Sequence, residues 1–227
     1  MIGKKKKLTK KELQEDKLVT SFYKSQEFFD EYKQKLIIIA GSLAVIVLAI
    51  LWYVNKKSDD NLKAASQLSE IVSYFDMGQY QKAIDGEPGT QLIGLNNIVD
   101  NYGSTEQGEI AKIYLAKSYY ALGNYDQALE YYSDYSGDSK LHQSSAFAGM
   151  AACYEQKGQF EDAADLYKKA ANTYDLKSQK SEYLLNSGIN YIKAGNKEEA
   201  KDLLETLKND FKTTVAAREV EKYLSQL

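Results

Sequence analysis

The stretch from Leu115 to Tyr135, LAKSYYALGNYDQALEYYSDY, decides how this chain folds. Ala116, Tyr119, Gly123 and Ala128 stand in it at successive steps of three, four and five residues. That order describes a helical hairpin. The small residue lets a second helix approach, the glycine takes the turn where φ is positive, and the alanine repeats the close contact from the returning helix. The skeleton recurs in MAACYEQKGQFEDAADLYKKA (Met150 to Ala170) with Ala151, Tyr154, Gly158 and Ala163. It recurs again in SGINYIKAGNKEEAKDLLETL (Ser187 to Leu207) with Gly188, Tyr191, Gly195 and Ala200. A weaker copy, YFDMGQYQKA, carries Tyr74, Gly78, Tyr80 and Ala83. Tyr125 and Phe160, just past the turns, are placed to close the gap between paired helices, and Tyr132 and Tyr167 to wedge against the next repeat. Most of the 19 tyrosines therefore read as packing rather than as ligands.

Glycine spacings of 35 and 37 residues fall close to the roughly 34 of the tetratricopeptide repeat, which these copies resemble. The first interval is 45 residues because GEPGTQLIGLNNIVDNYGST is inserted. Gly86, Pro88 and Gly89 break the helix there, and Leu92, Leu95, Ile98 and Val99 predict a short amphipathic one after it. Val215, Ala216, Val220, Tyr223, Leu224 and Leu227 predict a last helix that covers the exposed end of the array, as repeat proteins require. Ala, Leu, Lys, Glu and Gln dominate and the chain holds only one proline, which agrees with an all-α fold.

Ahead of the repeats, Leu36 to Val54 reads LIIIAGSLAVIVLAILWYV, 19 residues without a charge. At the helical rise this spans roughly 28 Å, about the thickness of a hydrocarbon core. It is longer than the apolar region of a signal peptide, and no small-residue cleavage site follows it. A retained transmembrane helix is the expectation. Ten lysines precede it and three follow in a comparable length, which predicts a cytoplasmic N-terminus and an outward C-terminal domain. Residues 1–35 carry a net charge of +4 and residues 58–227 one of −9. An acidic outer domain gives no help to nucleic-acid binding.

The expected architecture is thus all-α: an N-terminal single transmembrane helix followed by a tetratricopeptide-repeat-like α-solenoid. Its parts are a basic cytoplasmic tail with an amphipathic helix (1–35), the span (36–54), a stalk (55–61), repeats over 62–213 (62–103, 106–138, 141–175 and 179–213) and a capping helix (214–227). Within the tail, Thr9-Lys10-Lys11-Glu12 has the spacing of a capping box, and Leu18, Phe22, Ser25, Phe29 and Tyr32 mark one helical face. That face suits lipid or a membrane partner. With only Gly41 and no proline from Leu36 to Met77, the span is expected to run on into the first outer helix as a stiff stalk.

Catalytic chemistry finds no constellation. His142 is the only histidine, so no histidine triad or histidine-rich metal site can form within the chain. Cys153, the only cysteine, excludes an internal disulfide and reads as a small core residue. No phosphate-binding glycine loop occurs. Acidic pairs such as Asp59-Asp60, Glu161-Asp162 and Glu198-Glu199 suit helix starts and solvent faces. Neither an enzyme nor a cofactor is expected. What remains is the inner wall of the array, formed by first-helix positions Ile110, Ile113, Lys117 and Tyr120; Ser145, Ala148, Ala152 and Glu155; and Glu182, Leu185, Ile189 and Ile192. Its mixed, partly apolar character suits an extended or hydrophobic protein segment.

The lysine-rich stub, single uncleaved span and acidic array together resemble the YfgM family of bacterial tetratricopeptide proteins, with DNYGSTEQGEIAKIYLAKSYYALGNYDQALEYY (Asp100 to Tyr132) as the most similar part. The resemblance implies a protein of the bacterial inner membrane with its C-terminal domain in the periplasm. It further implies an ancillary subunit of the SecYEG translocon, partnered by a membrane-anchored peptidyl-prolyl isomerase and by exported clients. A tetratricopeptide adaptor for cell-envelope assembly or cell division is the alternative.

Overall fold

In the computed structural model, which describes residues 10–227, all regular structure is helical. Residues 1–9, with Thr9 of the capping box, and the side chains of Lys10, Lys11, Glu12 and Leu18 lie outside the described residues. The elements are α1 (Lys10–Asp76), α2 (Tyr80–Asp85), α3 (Leu95–Tyr102), α4 (Glu106–Ala121), α5 (Tyr125–Ser133), α6 (Lys140–Gln156), α7 (Phe160–Thr173), α8 (Lys177–Ala194), α9 (Lys197–Asp210) and α10 (Val215–Leu224). Two compact units divide the chain, Met1–Lys56 and Lys57–Leu227.

The first unit is helical from Lys10 onward, and the apolar side chains of the stretch Leu36 to Val54 lie on the outside. Ile37, Val45 and Leu51 are 64%, 66% and 56% exposed, so this stretch is no core helix. It is long and apolar enough to cross a membrane. Two lysine–aromatic contacts bracket it: the Lys35 ammonium lies 5.4 Å from the Tyr32 ring centre and the Lys56 ammonium 5.5 Å from that of Trp52. The 20 helical steps from Tyr32 to Trp52 correspond to roughly 30 Å, about the thickness of a hydrocarbon core.

The second unit is built from one turn used four times. Gly78, Gly123, Gly158 and Gly195 adopt φ of 73°, 80°, 74° and 86°, a left-handed conformation that costs a residue with a Cβ about 1 kcal/mol. Each glycine N–H donates to the carbonyl three residues back, and the next N–H reaches five residues back. Those outer bonds are Gln79 to Tyr74, Asn124 to Tyr119, Gln159 to Tyr154 and Asn196 to Tyr191, all 2.9 Å long. This pair of bonds ends a helix by satisfying its last carbonyls. The acceptor of the outer bond is the skeleton's tyrosine every time. Gln79, Asn124, Gln159 and Asn196 then accept, through their own carbonyls, the first helical bond of the returning helix, donated by Ala83, Ala128, Ala163 and Ala200. These four alanines are fully buried, because the turn carries them straight back onto the first helix. Alanine leaves room there where a larger side chain would push the pair apart.

Successive hairpins then lock by tyrosine. Tyr132 on α5 is 5% exposed and its ring lies against Gly149 on α6, where any Cβ would overlap it. Tyr167 on α7 meets Tyr183 on α8 with ring centres 6.3 Å apart. Hydroxyls add a second tie, since Ser144 on α6 and Ser187 on α8 donate to the Ala170 and Ala164 carbonyls of α7, both at 2.8 Å. The core is accordingly three overlapping clusters along the array: one around Ile71, Ile84, Leu95 and Leu115, one around Ala116, Tyr132 and Cys153, and one around Leu185, Leu204 and Leu207. Through Ala216 and Val220, α10 packs on the last cluster and covers its end.

The first hairpin departs from the others. Its returning helix stops at Asp85, the loop after it is pinned by an isolated bridge between Gly86 and Ile93, and α3 resumes only at Leu95. Leu92, expected in the rebuilt helix, lies in the loop instead, yet it is buried in the first cluster. The bridge holds it there without a helix.

The turn and the wedge make separable predictions for urea unfolding. At Gly158 a Cβ meets nothing within 4 Å, so Gly158→Ala is expected to cost only the backbone term, about 1 kcal/mol. Gly149→Ala must displace the Tyr132 ring, and overpacking of this kind is expected to cost about 2–3 kcal/mol. Equal losses at the two sites would contradict the wedge.

Candidate protein-binding groove

The first helices of the hairpins, α4, α6 and α8, carry the residues expected on the inner wall. On α4, Ile110 is half-buried and lines a hollow of about 550 Å³ with Lys57, Thr105, Glu106, Tyr135, Ser136 and His142 among others. Ile113 is only 3% exposed and packs with Tyr132 and Cys153. It supports the wall from beneath, because the wedge of α5 against α6 covers it. Lys117 is exposed with its ammonium 5.7 Å from the Tyr114 ring centre, and surrounding groups displace enough water from that ammonium to hold its pKa below the ordinary lysine value. Lys117 makes no ion pair among the described residues. Tyr120 is half-buried, its ring 5.4 Å from that of Tyr125 and its hydroxyl bonded to the Gln156 side chain; burial, then Tyr125, raises its pKa.

Farther along, Glu155 on α6 accepts from Lys193 on α8 at 2.6 Å and from the Tyr167 hydroxyl. It is a tied charge, serving as a strut between the two first helices. Glu182 is exposed and Leu185 buried to 6%, and both border a second hollow of about 710 Å³ with Leu176, Val215 and Glu219. Ile189 and Ile192 are half-buried against the last cluster. Ser145, Ala148 and Ala152 are half-buried on α6. The structure therefore gathers Ile110 with the first hollow and Glu182 and Leu185 with the second, and places Lys117, Tyr120, Glu155 and Ile189 along the helices between.

Beneath the first hollow lies a feature that motif reading misses. Glu109 and Lys112, each 7% exposed, pair at 3.0 Å, and Lys112 also reaches the Asp134 carboxylate at 2.8 Å and its carbonyl at 3.2 Å. Glu109 accepts in turn from the Ser136 N–H and hydroxyl, both at 2.8 Å. Burial alone would lower the Lys112 pKa, but the bonds to Asp134 and Glu109 overcome it and leave it above the ordinary lysine value. Such a lysine contributes stability that is complete below its unfolded pKa and lost only as pH rises through the folded one. The three-residue step from Glu109 to Lys112 is visible in sequence; Asp134, 22 residues on, is not.

His142 sits at the rim of the same hollow with its pKa lowered, chiefly by burial and then by the nearby Lys117 charge. Cys153 is fully buried, and burial pushes its thiol up to about 11.

Fold and wall together define a tetratricopeptide-like helical repeat protein. Residues 49–227 match the family described as Soluble NSF attachment protein, SNAP. This covers most of the chain, so the chain belongs to that family. No curated protein and no solved structure gives a significant match.

Two measurements check the local chemistry. At pH 8 a thiol of pKa about 11 is roughly one part in a thousand thiolate, so Cys153 is expected to resist alkylation in the folded protein and to react in full once urea unfolds it. Lys112→Met strands Glu109 without its counter-charge and is expected to cost about 3 kcal/mol of stability. A midpoint unchanged in urea would show that the Ser136 bonds suffice for Glu109.

Proposed function

We propose that the chain is a membrane-anchored, protein-binding adaptor that holds an extended, partly apolar segment of its partner along the first-helix wall. The observation that carries this reading is the wall itself. Ile110, Tyr120 and Ile189 offer apolar surface, Lys117 offers a cation with no ion pair among the described residues, and the turns and tyrosine wedges hold the helices that bear them. Rigid helices lose little freedom on binding, which favours recognition by a preformed surface. The name of the matched family, an attachment protein, agrees with an adaptor rather than an enzyme. For anchorage, the apolar helix and the ten-to-three lysine asymmetry support a membrane protein with a cytoplasmic N-terminus and an outward array spanning 62–213, and the YfgM-like layout makes that membrane the bacterial inner membrane and the outer side the periplasm.

The more specific role is that of the YfgM-like proteins which the layout resembles: an ancillary subunit of the SecYEG translocon that assists a membrane-anchored peptidyl-prolyl isomerase with exported clients. Affinity purification of the detergent-solubilised full chain, read by mass spectrometry, is expected to recover SecY and a periplasmic isomerase. Lys117→Glu combined with Tyr120→Ala is expected to lower that recovery by about tenfold, the size of a modest interface hot spot, with the circular dichroism of the array unchanged. Recovery of division or outer-membrane assembly proteins in place of SecY would transfer the adaptor to cell-envelope assembly or cell division.

A further inference from the structure

The wall leaves one strongly apolar surface of the chain without a role, the aromatic face ahead of the span. Phe22, Phe28 and Phe29 are 67%, 56% and 57% exposed. No break occurs in the helix between Lys10 and Lys56. Phe22 therefore stands roughly 20 Å along the axis from Leu36, the first residue of the apolar run. Neither a straight helix nor one tilted like an ordinary span lays that face on the membrane plane. Its apolar surface needs protein.

The spacing says which protein. Phe22, Ser25, Phe29, Tyr32, Leu36, Ile39, Leu43, Ile46 and Ile50 alternate steps of three and four without interruption. This spacing matches the inner seam of a left-handed coiled coil, and it continues from the exposed segment into the span in one register. Lys24, Glu27, Asp30 and Glu31 fall on the outer positions of the same heptads. Across a parallel pair, the flanking positions would place Ser21 opposite Gln26, Phe28 opposite Lys33 and Lys35 opposite Ala40. No like charges meet, and Phe28 with Lys33 is a cation–π pair. Ala40, Ser42 and Ala49 beside the seam allow close approach within the membrane. A second copy, inserted by the same span in the same sense, arrives parallel and already in register.

We propose that the occupant of this face is a second copy of the chain, giving a parallel homodimer whose seam runs from Phe22 through the span to Ile50. The proposal rests on the anchor reading above and is independent of the partner bound by the array. The dimer presents two arrays from one anchor, so that a partner with two contact sites gains from effective concentration.

Single cysteines introduced into the full chain in intact membranes test this. The native Cys153 is buried, and the unaltered chain serves as the control. Ser25→Cys, a small-for-small change on the seam, is expected to yield disulfide-linked dimer under mild copper–phenanthroline oxidation at least fivefold above Glu27→Cys and Gln34→Cys on the outer face. Phe29→Cys is expected to follow Ser25→Cys. Equal yields on both faces, or no dimer at the seam positions, would overturn the proposal, as would a photocrosslinker at Phe29 that captures only another protein. Alkaline carbonate washing of the same membranes separates the two readings: a chain retained but uncrosslinked removes the dimer alone, whereas a chain released removes the anchor and the dimer together.

Discussion

The fold of the array depends on one hydrogen bond, the reach of the residue after each turn glycine back to the carbonyl of a tyrosine five positions earlier. Positive φ at the glycine makes that reach possible, and the bond fixes where the first helix ends. Because it also sets the direction in which the second helix leaves, it determines which residue returns to the first helix. In all four hairpins that residue is a fully buried alanine. Tyr132 against Gly149 and Tyr167 against Tyr183 then convert separate hairpins into a continuous stack.

Stacking of this kind sorts the side chains of the first helices into two sets. Those beneath, such as Ile113, Cys153 and Leu115, join the clusters between helices. Those on the open side, Ile110, Lys117, Tyr120 and Ile189, keep part of their surface. Four of the polar residues drawn under the stack are paired there: Glu109 by Lys112 and Ser136, and Ser144 and Ser187 by carbonyls of α7. The pairing avoids the cost of desolvated groups without partners and fixes the packing of the α5–α6 connection against α4.

Much of this was legible in the sequence. The skeleton of small residue, tyrosine, glycine and alanine predicts the hairpins and their turns, and the apolar spacing from Val215 to Leu227 predicts the last helix, because each element depends on local backbone geometry. Placement of Ile113 was less accessible. Helical spacing assigns it to the same face as Ile110, and only the wedge of Tyr132 from the next hairpin decides that it is covered. Leu92 shows the same limit, since a bridge between Gly86 and Ile93 buries it without a helix. The Glu109–Lys112–Asp134 network and the hollow bordered by Leu176 and Val215 join residues far apart in the chain, with no motif to signal them.

Function in this account follows from the open side of a rigid stack joined in one chain to an apolar helix fit to span a membrane. Photocrosslinking in living cells tests that claim most directly, with a benzophenone side chain placed in turn at Tyr120, Glu182 and Ile189 on the first helices and at Lys168, Asp202 and Glu205 on the second helices. Adducts to a common partner from the first set, with none from the second, are the predicted result. Adducts from the second set alone, or equally from both, would contradict a binding wall on α4, α6 and α8.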